Sequence, residues 1–377
     1  MKINKFNKIN YSVFIGIFLG FLIFYLVTNN QKSKINFEDL ALGPNNEKVI
    51  SKLEGNNIHC HDLRDLSHCK DDYKNINEDI PVIMWLGNSQ LHAINQYKKG
   101  DRTASYKLHG KLKELNKYVL TFSQPNANLQ EHYLLFAHLI NKFPIEVLIL
   151  PVLFDDTRED LVRETIALAI NDTSTKKKIK YSTTGKNLIS QYYKNKDAVS
   201  GVHENNKTPQ DKLENYIDKK FSIFWPSWRE RENLKSQIFN KLYKLRNFVF
   251  RISASSTRKI IKGPYIKNQD AYLDILKLAN KYKIEVLVYI PPLRNDVKIP
   301  YDKDEYENFK KRVKIIADNH NVNFISLEDI VPAELWGFNY STNLKKNNEI
   351  DFMHFQYGGH QLLADAVYNE LLKMINK

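Results

Sequence analysis

The stretch Val82-Ile83-Met84-Trp85-Leu86-Gly87-Asn88-Ser89-Gln90 joins an apolar run to a turn that carries a serine. A short apolar run that ends at a glycine-containing turn is typical of a buried strand in a parallel sheet. In sheets of this kind, ligands bind beyond the carboxyl ends of the strands, where the strand order reverses. The sequence therefore predicts that Ser89 lies at a ligand-binding edge of a sheet.

Strand-like and helix-like runs alternate along the rest of the chain. The predicted strands are Val82–Leu86, Tyr118–Phe122, Val147–Leu150, Val286–Ile290 and Val322–Ile325. The predicted helices are Leu91–Tyr97, Leu129–Phe143, Arg158–Ile170, Ala271–Tyr282, Glu305–Asn319 and Gly358–Met374. This alternation predicts an α/β fold with a doubly wound, flavodoxin-like parallel sheet of about five strands.

A second chemical motif, Asp351-Phe352-Met353-His354, lies near the other end of the chain. A serine hydroxyl becomes a good nucleophile when an imidazole takes its proton and a carboxylate holds the resulting imidazolium. Ser89, His354 and Asp351 fit these three roles. The predicted helix after Ser89 would add amide donors and a positive dipole end for an oxyanion.

At these residues the chain resembles the SGNH (GDSL-like) hydrolase superfamily, whose first block reads Gly-Asp-Ser and whose last block reads Asp-x-x-His. Here the first block is Gly87-Asn88-Ser89, with Asn in place of Asp, and the last block is intact. The resemblance implies serine-dependent cleavage or transfer of an acyl group. In layout the chain is similar to membrane-anchored members that modify envelope polymers, of the teichoic-acid D-alanylation (DltD) and alginate O-acetylation types.

The resemblance also implies an oxyanion hole completed by a glycine after the second strand and an asparagine after the third. In this chain the segment 151–156 after the third strand contains no asparagine. The nearest amides are Asn126 and Asn128, which follow the second strand. Either could donate to an oxyanion, although asparagine beside Pro125 also suits turn formation.

Other polar residues near the two motifs have alternative interpretations. His360 is a rival base, but it falls within the predicted last helix. His92 follows Ser89 by three residues and is expected to point away from it, on another side of the predicted helix. Asp155 and Asp156 could form a second acid pair, but two carboxylates that open a helix are expected to be solvated charges at its N-terminus.

The N-terminus indicates membrane attachment. Residues 11–28 form an apolar and aromatic run, just long enough to span a bilayer, and Lys2, Lys5 and Lys8 precede it. A cleaved signal peptide is the alternative, but no small-residue cleavage pattern follows the run. We therefore expect a cytoplasmic tail at 1–10, a single-pass anchor at 11–28 and an extracytoplasmic catalytic domain, with a juxtamembrane segment at 29–80.

Cys60 and Cys69 are the only cysteines. In an exported chain, an even number of cysteines predicts a disulfide. A zinc site built from Cys60, His61, His68 and Cys69 is the alternative, although its spacing matches no common zinc pattern.

The 377 residues, 42% of them hydrophobic, suit one large α/β domain with an insertion. Its two parts are predicted at 81–170 and 269–377, with a helical, aromatic and basic insertion at 171–268. Residues 171–270 hold 22 Lys or Arg against 9 Asp or Glu, which accounts for the whole net charge of +13.

Three interpretations of the insertion remain open. It could be a helical cap whose apolar stripe packs inward, with Leu234, Ile238, Leu242, Leu245 and Val249 as the stripe. It could instead lie against anionic lipid or anionic envelope polymer near the anchor. Nucleic-acid binding is the least favoured, because the chain is expected to lie outside the cytoplasm.

Together these features predict a membrane-anchored serine enzyme that acts on an ester, for instance an O-acetyl ester, of a cell-envelope polysaccharide. A membrane-bound acyl-donor protein is a further expected partner, by resemblance. A plain esterase or deacetylase and a non-catalytic polymer-binding or assembly protein are the alternatives. The chemistry requires neither a metal nor an organic cofactor.

Overall fold

The computed structural model of the chain describes residues 15–16, 18–20, 22, 45–76, 79–203, 241–340, 344 and 348–375. By compactness the chain divides into two units. One comprises residues 1–40 and 197–246, and the other comprises residues 41–196 and 247–377. The second unit contains the sheet and both chemical motifs, and the fold is described for that unit.

The strands and helices follow one another in the order that the sequence suggested, with several short additions. The strands are β1 (Asn46–Lys48), β2 (Lys52–Leu53), β3 (Asn56–Asn57), β4 (His59–Cys60), β5 (Val82–Gly87), β6 (Ala93–Asn95), β7 (Tyr118–Ser123), β8 (Ile145–Pro151), β9 (Glu285–Ile290), β10 (Asn323–Ser326), β11 (Trp336–Tyr340) and β12 (Asn348–Phe355). The helices are α1 (Leu66–Ile76), α2 (Ala104–Lys113), α3 (Leu129–Leu139), α4 (Glu164–Ala167), α5 (Thr173–Ile179), α6 (Thr183–His203), α7 (Lys262–Lys281), α8 (Lys303–Asn319) and α9 (Tyr357–Ile375).

A six-stranded parallel sheet in the order β10-β9-β8-β5-β7-β4 forms the centre of this unit. Without β4, the order is that of a flavodoxin-like sheet, and the strand order reverses between β5 and β8. All five predicted strands belong to this sheet. The short strand β4 is an addition at the edge, where it pairs with β7.

Alternate residues of β5 enter two separate cores, one on each face of the sheet. Met84 packs in a cluster with residues of α3, α7 and α8, whereas Trp85 packs in a cluster with residues of α2 and α9. Because successive side chains of a strand point to opposite faces, a strand covered by helices on both sides is apolar throughout. This three-layer packing explains the uninterrupted apolar run 82–86.

Two of the predicted helices are wrong or partly wrong. The segment predicted as Leu91–Tyr97 forms a single 3-10 turn, Ser89–Leu91, followed by strand β6. The segment predicted as Arg158–Ile170 is broken into the end of a 3-10 turn, an irregular stretch, the short helix α4 and a second 3-10 turn, Leu168–Asn171. Pairing of β6 with β1, far away in sequence, overrides the local helical spacing in the first case.

Cys60 and Cys69 form a disulfide that ties β4 to α1. The prediction of a disulfide is thereby confirmed. The alternative zinc site is wrong in this structure, because both sulfurs are bonded to each other and His68 is exposed on α1.

In the described part of the chain, no helix combines the length and the apolar character needed to cross a bilayer. The predicted anchor at 11–28 lies outside the described residues except for six helical positions: Ile15, Gly16, Phe18, Leu19, Gly20 and Leu22.

The predicted insertion at 171–268 is described only at its two ends. Residues 204–240 lie outside the described residues, and with them Leu234 and Ile238 of the predicted stripe. The helical residues 241–249 leave Leu242, Leu245 and Val249 exposed. The packing expected for this stripe stays a prediction. Helix α7 begins at Lys262, before the predicted boundary at 268.

Candidate active site

The fold brings Ser89 and His354 together although 265 positions separate them in sequence. His354 Nε2 lies 2.9 Å from Ser89 Oγ, and His354 Nδ1 lies 3.0 Å from Asp351 Oδ2. An ionised carboxylate only accepts hydrogen bonds, so Nδ1–H donates to Asp351 and Nε2 is left to accept the Ser89 proton. In this arrangement an imidazole can take the proton of a serine hydroxyl while a carboxylate holds the ring.

The turn that carries Ser89 is shaped by its neighbours. The Asn88 side chain caps the 3-10 turn by accepting a hydrogen bond from the Gln90 N–H at 3.0 Å. A Cβ at Gly87 would lie 2.3 Å from Leu91 Cδ1, so a larger residue here would require the buried Leu91 side chain to move. The expected α-helix dipole beneath Ser89 is replaced by this single turn.

Asp351 and His354 lie within strand β12. Three positions apart on a regular strand, they would point to opposite faces. The pairing of β12 with β11 is irregular here, because Trp336 pairs with Phe355 while Phe338 pairs with Ile350. Across this bulge Asp351 contacts His354, and His354 reaches Ser89.

The Asp351 carboxylate is held on both oxygens. Oδ1 accepts hydrogen bonds from the backbone N–H groups of Met353 and His354, each at 2.9 Å. Oδ2 accepts from Asn46 Nδ2 at 3.0 Å and Asn95 Nδ2 at 3.2 Å, in addition to His354. Burial alone would raise the pKa of Asp351, but His354 and these hydrogen bonds outweigh burial and lower the pKa to about 2.

Ser89 and His354 are only 7% and 8% exposed. Among the described residues, the backbone N–H of Ser89 has no hydrogen-bond acceptor. An N–H adjacent to a nucleophile, and left unpaired, is suitably placed to donate to an oxyanion. The site therefore offers a sheltered nucleophile, a base, an orienting carboxylate and one backbone donor.

The two asparagines proposed for the oxyanion hole are used locally. Asn128 caps α3 in a capping box with Glu131, and its Nδ2 donates to the Leu161 carbonyl at 2.9 Å. Asn126 is exposed and adopts a left-handed backbone conformation with φ of 52°. The structure thus assigns both residues to turn and cap chemistry, the alternative named for them, and brings neither into hydrogen-bonding contact with the three central residues.

Asp155 and Asp156 are not the solvated charges that the sequence suggested. Asp155 forms ion pairs with Arg258 and Arg158. Asp156 is buried and accepts a hydrogen bond from Asn88 Nδ2 at 2.9 Å. Burial raises the pKa of Asp156 well above its ordinary value, although the hydrogen bond from Asn88 opposes this shift.

Neither rival histidine can replace His354. His360 is buried, and its ring is hydrogen-bonded to the Ala104 N–H and the Ala93 carbonyl. His92 is also fully buried, and its Nδ1 lies 2.7 Å from Ser123 Oγ. Burial lowers the pKa of both rings, to about 3 for His360.

Sequence reasoning missed three groups beside the site. Asn46 and Asn95 reach Asp351 from β1 and β6, and Ser123 Oγ lies between His92 and His59 Nε2, the latter at 2.6 Å. None of these residues belongs to a local motif. Only the pairing of β1 with β6 and of β5 with β7 brings them together.

Comparison with known proteins gives likenesses at the level of fold. No family model and no curated protein matches the chain. Solved structures similar to it include GDSL-like lipases and acetylesterases. A GDSL-like lipase from Bacteroides thetaiotaomicron is 10% identical, with a TM-score of 0.32, over 81% of this chain and 98% of that one.

Two acetylesterases are similar to the same degree. A carbohydrate acetylesterase from Sinorhizobium meliloti is 12% identical, with a TM-score of 0.34, over 78% of this chain and 99% of that one. A catalytic mutant of an acetylxylan esterase from Geobacillus stearothermophilus is 9% identical, with a TM-score of 0.34, over 77% and 93% of the respective chains. What this chain can do chemically follows from its own residues.

Proposed function

We propose that the protein is an SGNH-like serine esterase or O-acyltransferase. The observation that carries this proposal is the continuous hydrogen-bonded path from Ser89 through His354 to Asp351. Such a path allows acyl transfer by way of a covalent acyl-serine.

The proposed reaction has two halves. Ser89 Oγ attacks the ester carbonyl while His354 Nε2 takes its proton, and the Ser89 N–H donates to the developing oxyanion. His354 then gives that proton to the leaving alcohol, and the acyl group stays on Ser89. In the second half, His354 Nε2 takes a proton from water or a sugar hydroxyl as that oxygen attacks the acyl-serine, and it gives this proton to Ser89 Oγ as the acyl group leaves.

A short acyl group, such as acetyl, is proposed as the group that is transferred. An apolar cavity at the carboxyl ends of β8 and β9 has room for about one water-sized group. Met353, which lies between Asp351 and His354 in sequence, forms part of its wall, together with Leu153 and Leu293. Neither Ser89 nor His354 lines this cavity, and the proposal takes it as the acyl pocket because Met353 adjoins His354 in sequence. A pocket of this size would accept a methyl group rather than a long acyl chain.

The cell-envelope setting is proposed from the sequence. The apolar run at 11–28 and the disulfide both suit an anchored domain outside the cytoplasm. The helical residues 241–249 expose Leu242 and Leu245 beside Lys241 and Lys244. Exposed apolar groups among cations suit a surface that lies against anionic lipid or polymer, so an envelope polysaccharide is the proposed acceptor or donor.

Labelling with a fluorophosphonate probe tests the catalytic proposal directly. Wild type should react, and Ser89→Ala should abolish labelling because the nucleophile is lost. Ser67→Ala, which changes an exposed serine on α1, is the matched control and should label like wild type. Hydrolysis of a chromogenic acetate should be lost in Ser89→Ala and His354→Ala but not in His68→Ala. A wild type that is inert in both assays, yet binds polymer, would favour a scaffold function instead.

Transfer and hydrolysis are distinguished by the fate of the acyl group. Purified protein should be incubated with an O-acetylated polysaccharide and a de-acetylated acceptor carrying an isotope label. Acetyl on the labelled acceptor indicates transfer, whereas free acetate alone indicates an esterase. Flotation with anionic and neutral vesicles over a salt series tests the surface proposal, which predicts binding that requires anionic lipid and falls with salt.

A further inference from the structure

We infer that Asn46 and Asn95 are positioning residues for the Ser89–His354–Asp351 relay, an inference that rests on the proposed function. Both carboxamides donate to Asp351 Oδ2, the same oxygen that accepts from His354 Nδ1. They thereby hold the Asp351 carboxylate in place, and the carboxylate in turn orients the His354 imidazole.

The two asparagines act from a separate two-stranded ribbon. Strands β1 and β6 pair antiparallel, and Asn46 lies directly opposite Asn95 in their register. Side chains directly opposite on such a pair have neighbouring Cβ atoms and share one face. The ribbon therefore presents two amide groups to one carboxylate oxygen.

The orientation of each amide is determined by its second hydrogen bond. Asn46 Nδ2 also donates to Asn339 Oδ1 at 2.7 Å, and Asn95 Nδ2 also contacts the Phe338 carbonyl at 3.4 Å. A flipped Asn95 amide would place its oxygen against both the carboxylate and this carbonyl. Repulsion between these acceptors opposes the flip, so the N–H groups face Asp351.

The Asn95 carboxamide occupies the space that a side chain at Gly337 would fill. A Cβ at this position would lie 1.8 Å from Asn95 Oδ1 and 2.0 Å from Asn95 Cγ. Asn95 is completely buried and Asn46 is 9% exposed. Asn95 Oδ1 itself is buried and has no hydrogen-bond partner among the described residues. Because an unpaired buried acceptor is costly, the benefit of this side chain must come from its amino group, which faces Asp351.

With three N–H donors on Oδ2 and two on Oδ1, the Asp351 carboxylate cannot rotate without breaking several hydrogen bonds. Its fixed plane holds His354 Nδ1–H, which keeps Nε2 directed at Ser89 Oγ. Loss of one amide would loosen this alignment and slow the chemical step more than substrate binding.

The test uses alanine variants of three asparagines on the same ribbon or next to it. Asn46→Ala and Asn95→Ala should each lower kcat on an acetyl ester by about 10- to 100-fold, with KM little changed, since each removes a hydrogen bond to a charged group. Asn45→Ala is the matched control, because Asn45 Nδ2 donates to the Phe338 carbonyl and not to Asp351. It should stay within about twofold of wild type, the size expected for an exposed hydrogen bond.

Measuring the Asn95→Ala substitution in the Asp351→Ala variant distinguishes a positioning role from a merely structural one. In Asp351→Ala, adding Asn95→Ala should cost no further activity, because the group on which Asn95 acts is gone. An equal loss in both backgrounds would overturn the inference. Thermal unfolding of every variant shows whether it is folded. If Asn95→Ala does not fold, Asn46→Asp takes its place in the test, because it keeps the size of the side chain but replaces the donor by an acceptor.

Failure of the inference and failure of the proposed function give different results. If wild type neither labels with the fluorophosphonate nor hydrolyses the ester, the proposed function fails. If wild type is active but Asn46→Ala, Asn95→Ala and Asn46→Asp match it in kcat, only the positioning role is overturned.

Discussion

Asn88 stands where the SGNH resemblance expects an aspartate, and its surroundings explain the exchange. Its Oδ1 caps the turn that carries Ser89, while its Nδ2 donates to the buried Asp156. An aspartate at this position would have no N–H to donate and would face a second carboxyl group in a buried site. The amide of Asn88 can therefore accept the capping hydrogen bond with its oxygen and donate to Asp156 with its nitrogen.

The first prediction concerns this pair. Asn88→Asp should destabilise the fold by about 1–3 kcal/mol, because the Asp156 carboxyl loses its donor in a buried site. Activity should fall as well, since the same side chain shapes the Ser89 turn. Urea unfolding and ester hydrolysis measure the two effects.

The exchanged double variant Asn88→Asp with Asp156→Asn is the control for this prediction. It restores one amide and one carboxyl group across the same contact, so it should recover most of the lost stability. A double variant no more stable than Asn88→Asp alone would show that the contact with Asp156 is not the reason for asparagine at position 88.

At the scale of single elements, α3 is buried along its whole length, and His132 lies in its middle. Neither ring nitrogen of His132 has a hydrogen-bond partner among the described residues. Burial lowers the pKa of this ring to about 3, so it is neutral at physiological pH. The ring therefore fills space on a central helix at the cost of two unpaired polar atoms.

The second prediction follows from that cost. His132→Leu should stabilise the protein by about 1–3 kcal/mol at neutral pH, because it removes buried polar atoms that have no partners. His138→Leu, on the same helix, is the matched comparison. It should destabilise instead, since His138 Nδ1 is hydrogen-bonded to Thr175 Oγ1 at 2.8 Å. Thermal unfolding at pH 7.5 compares the two variants, and destabilisation by His132→Leu would contradict the prediction.

The third prediction concerns the disulfide between β4 and α1. Cys60→Ser with Cys69→Ser should lower the free energy of unfolding by about 2–4 kcal/mol, the usual range for loss of a disulfide. Denaturant unfolding with and without a reducing agent measures it. The double variant, unlike wild type, should show no effect of the reductant; a wild type equally insensitive to reduction would count against the bond.

At the scale of the whole molecule, several buried histidines link stability to pH. Burial lowers the pKa of His59, His132 and His360 to about 3 each. In the unfolded chain these rings titrate near pH 6.5. The stability that these neutral rings allow is therefore fully present above pH 6.5 and is lost as the pH falls toward 3. Between these values the histidines are protonated in the unfolded state but stay neutral in the folded state.

The fourth prediction is acid sensitivity. Each such histidine lowers stability by about 1.4 kcal/mol per pH unit below pH 6.5, while Asp156, whose pKa is raised, acts in the opposite direction. We expect the free energy of unfolding at pH 5.5 to be about 1–4 kcal/mol below its value at pH 7.5. Urea titrations at the two pH values measure it. His132→Leu should reduce the difference by roughly one histidine's share, and an unchanged difference would contradict this account.

The central sheet and the three residues of the relay were predictable from sequence, for local physical reasons. A strand covered on both faces must be apolar throughout, so runs such as 82–86 and 147–150 indicate buried strands without knowledge of their neighbours. Ser89, His354 and Asp351 were identified because nucleophilic catalysis needs those residue types and because of their place relative to the predicted strands.

The remainder of the site was decided by tertiary structure. The bulge in β12 depends on its pairing with β11, and strand β6, predicted as part of a helix, depends on its pairing with β1. Asn46 and Asn95 acquire a role only because that second pairing carries them to Asp351 from distant parts of the chain. Residue type and local spacing thus determined the sheet and the chemistry, whereas contacts between strands far apart in sequence decided how the site is oriented, because no local pattern encodes a long-range pairing.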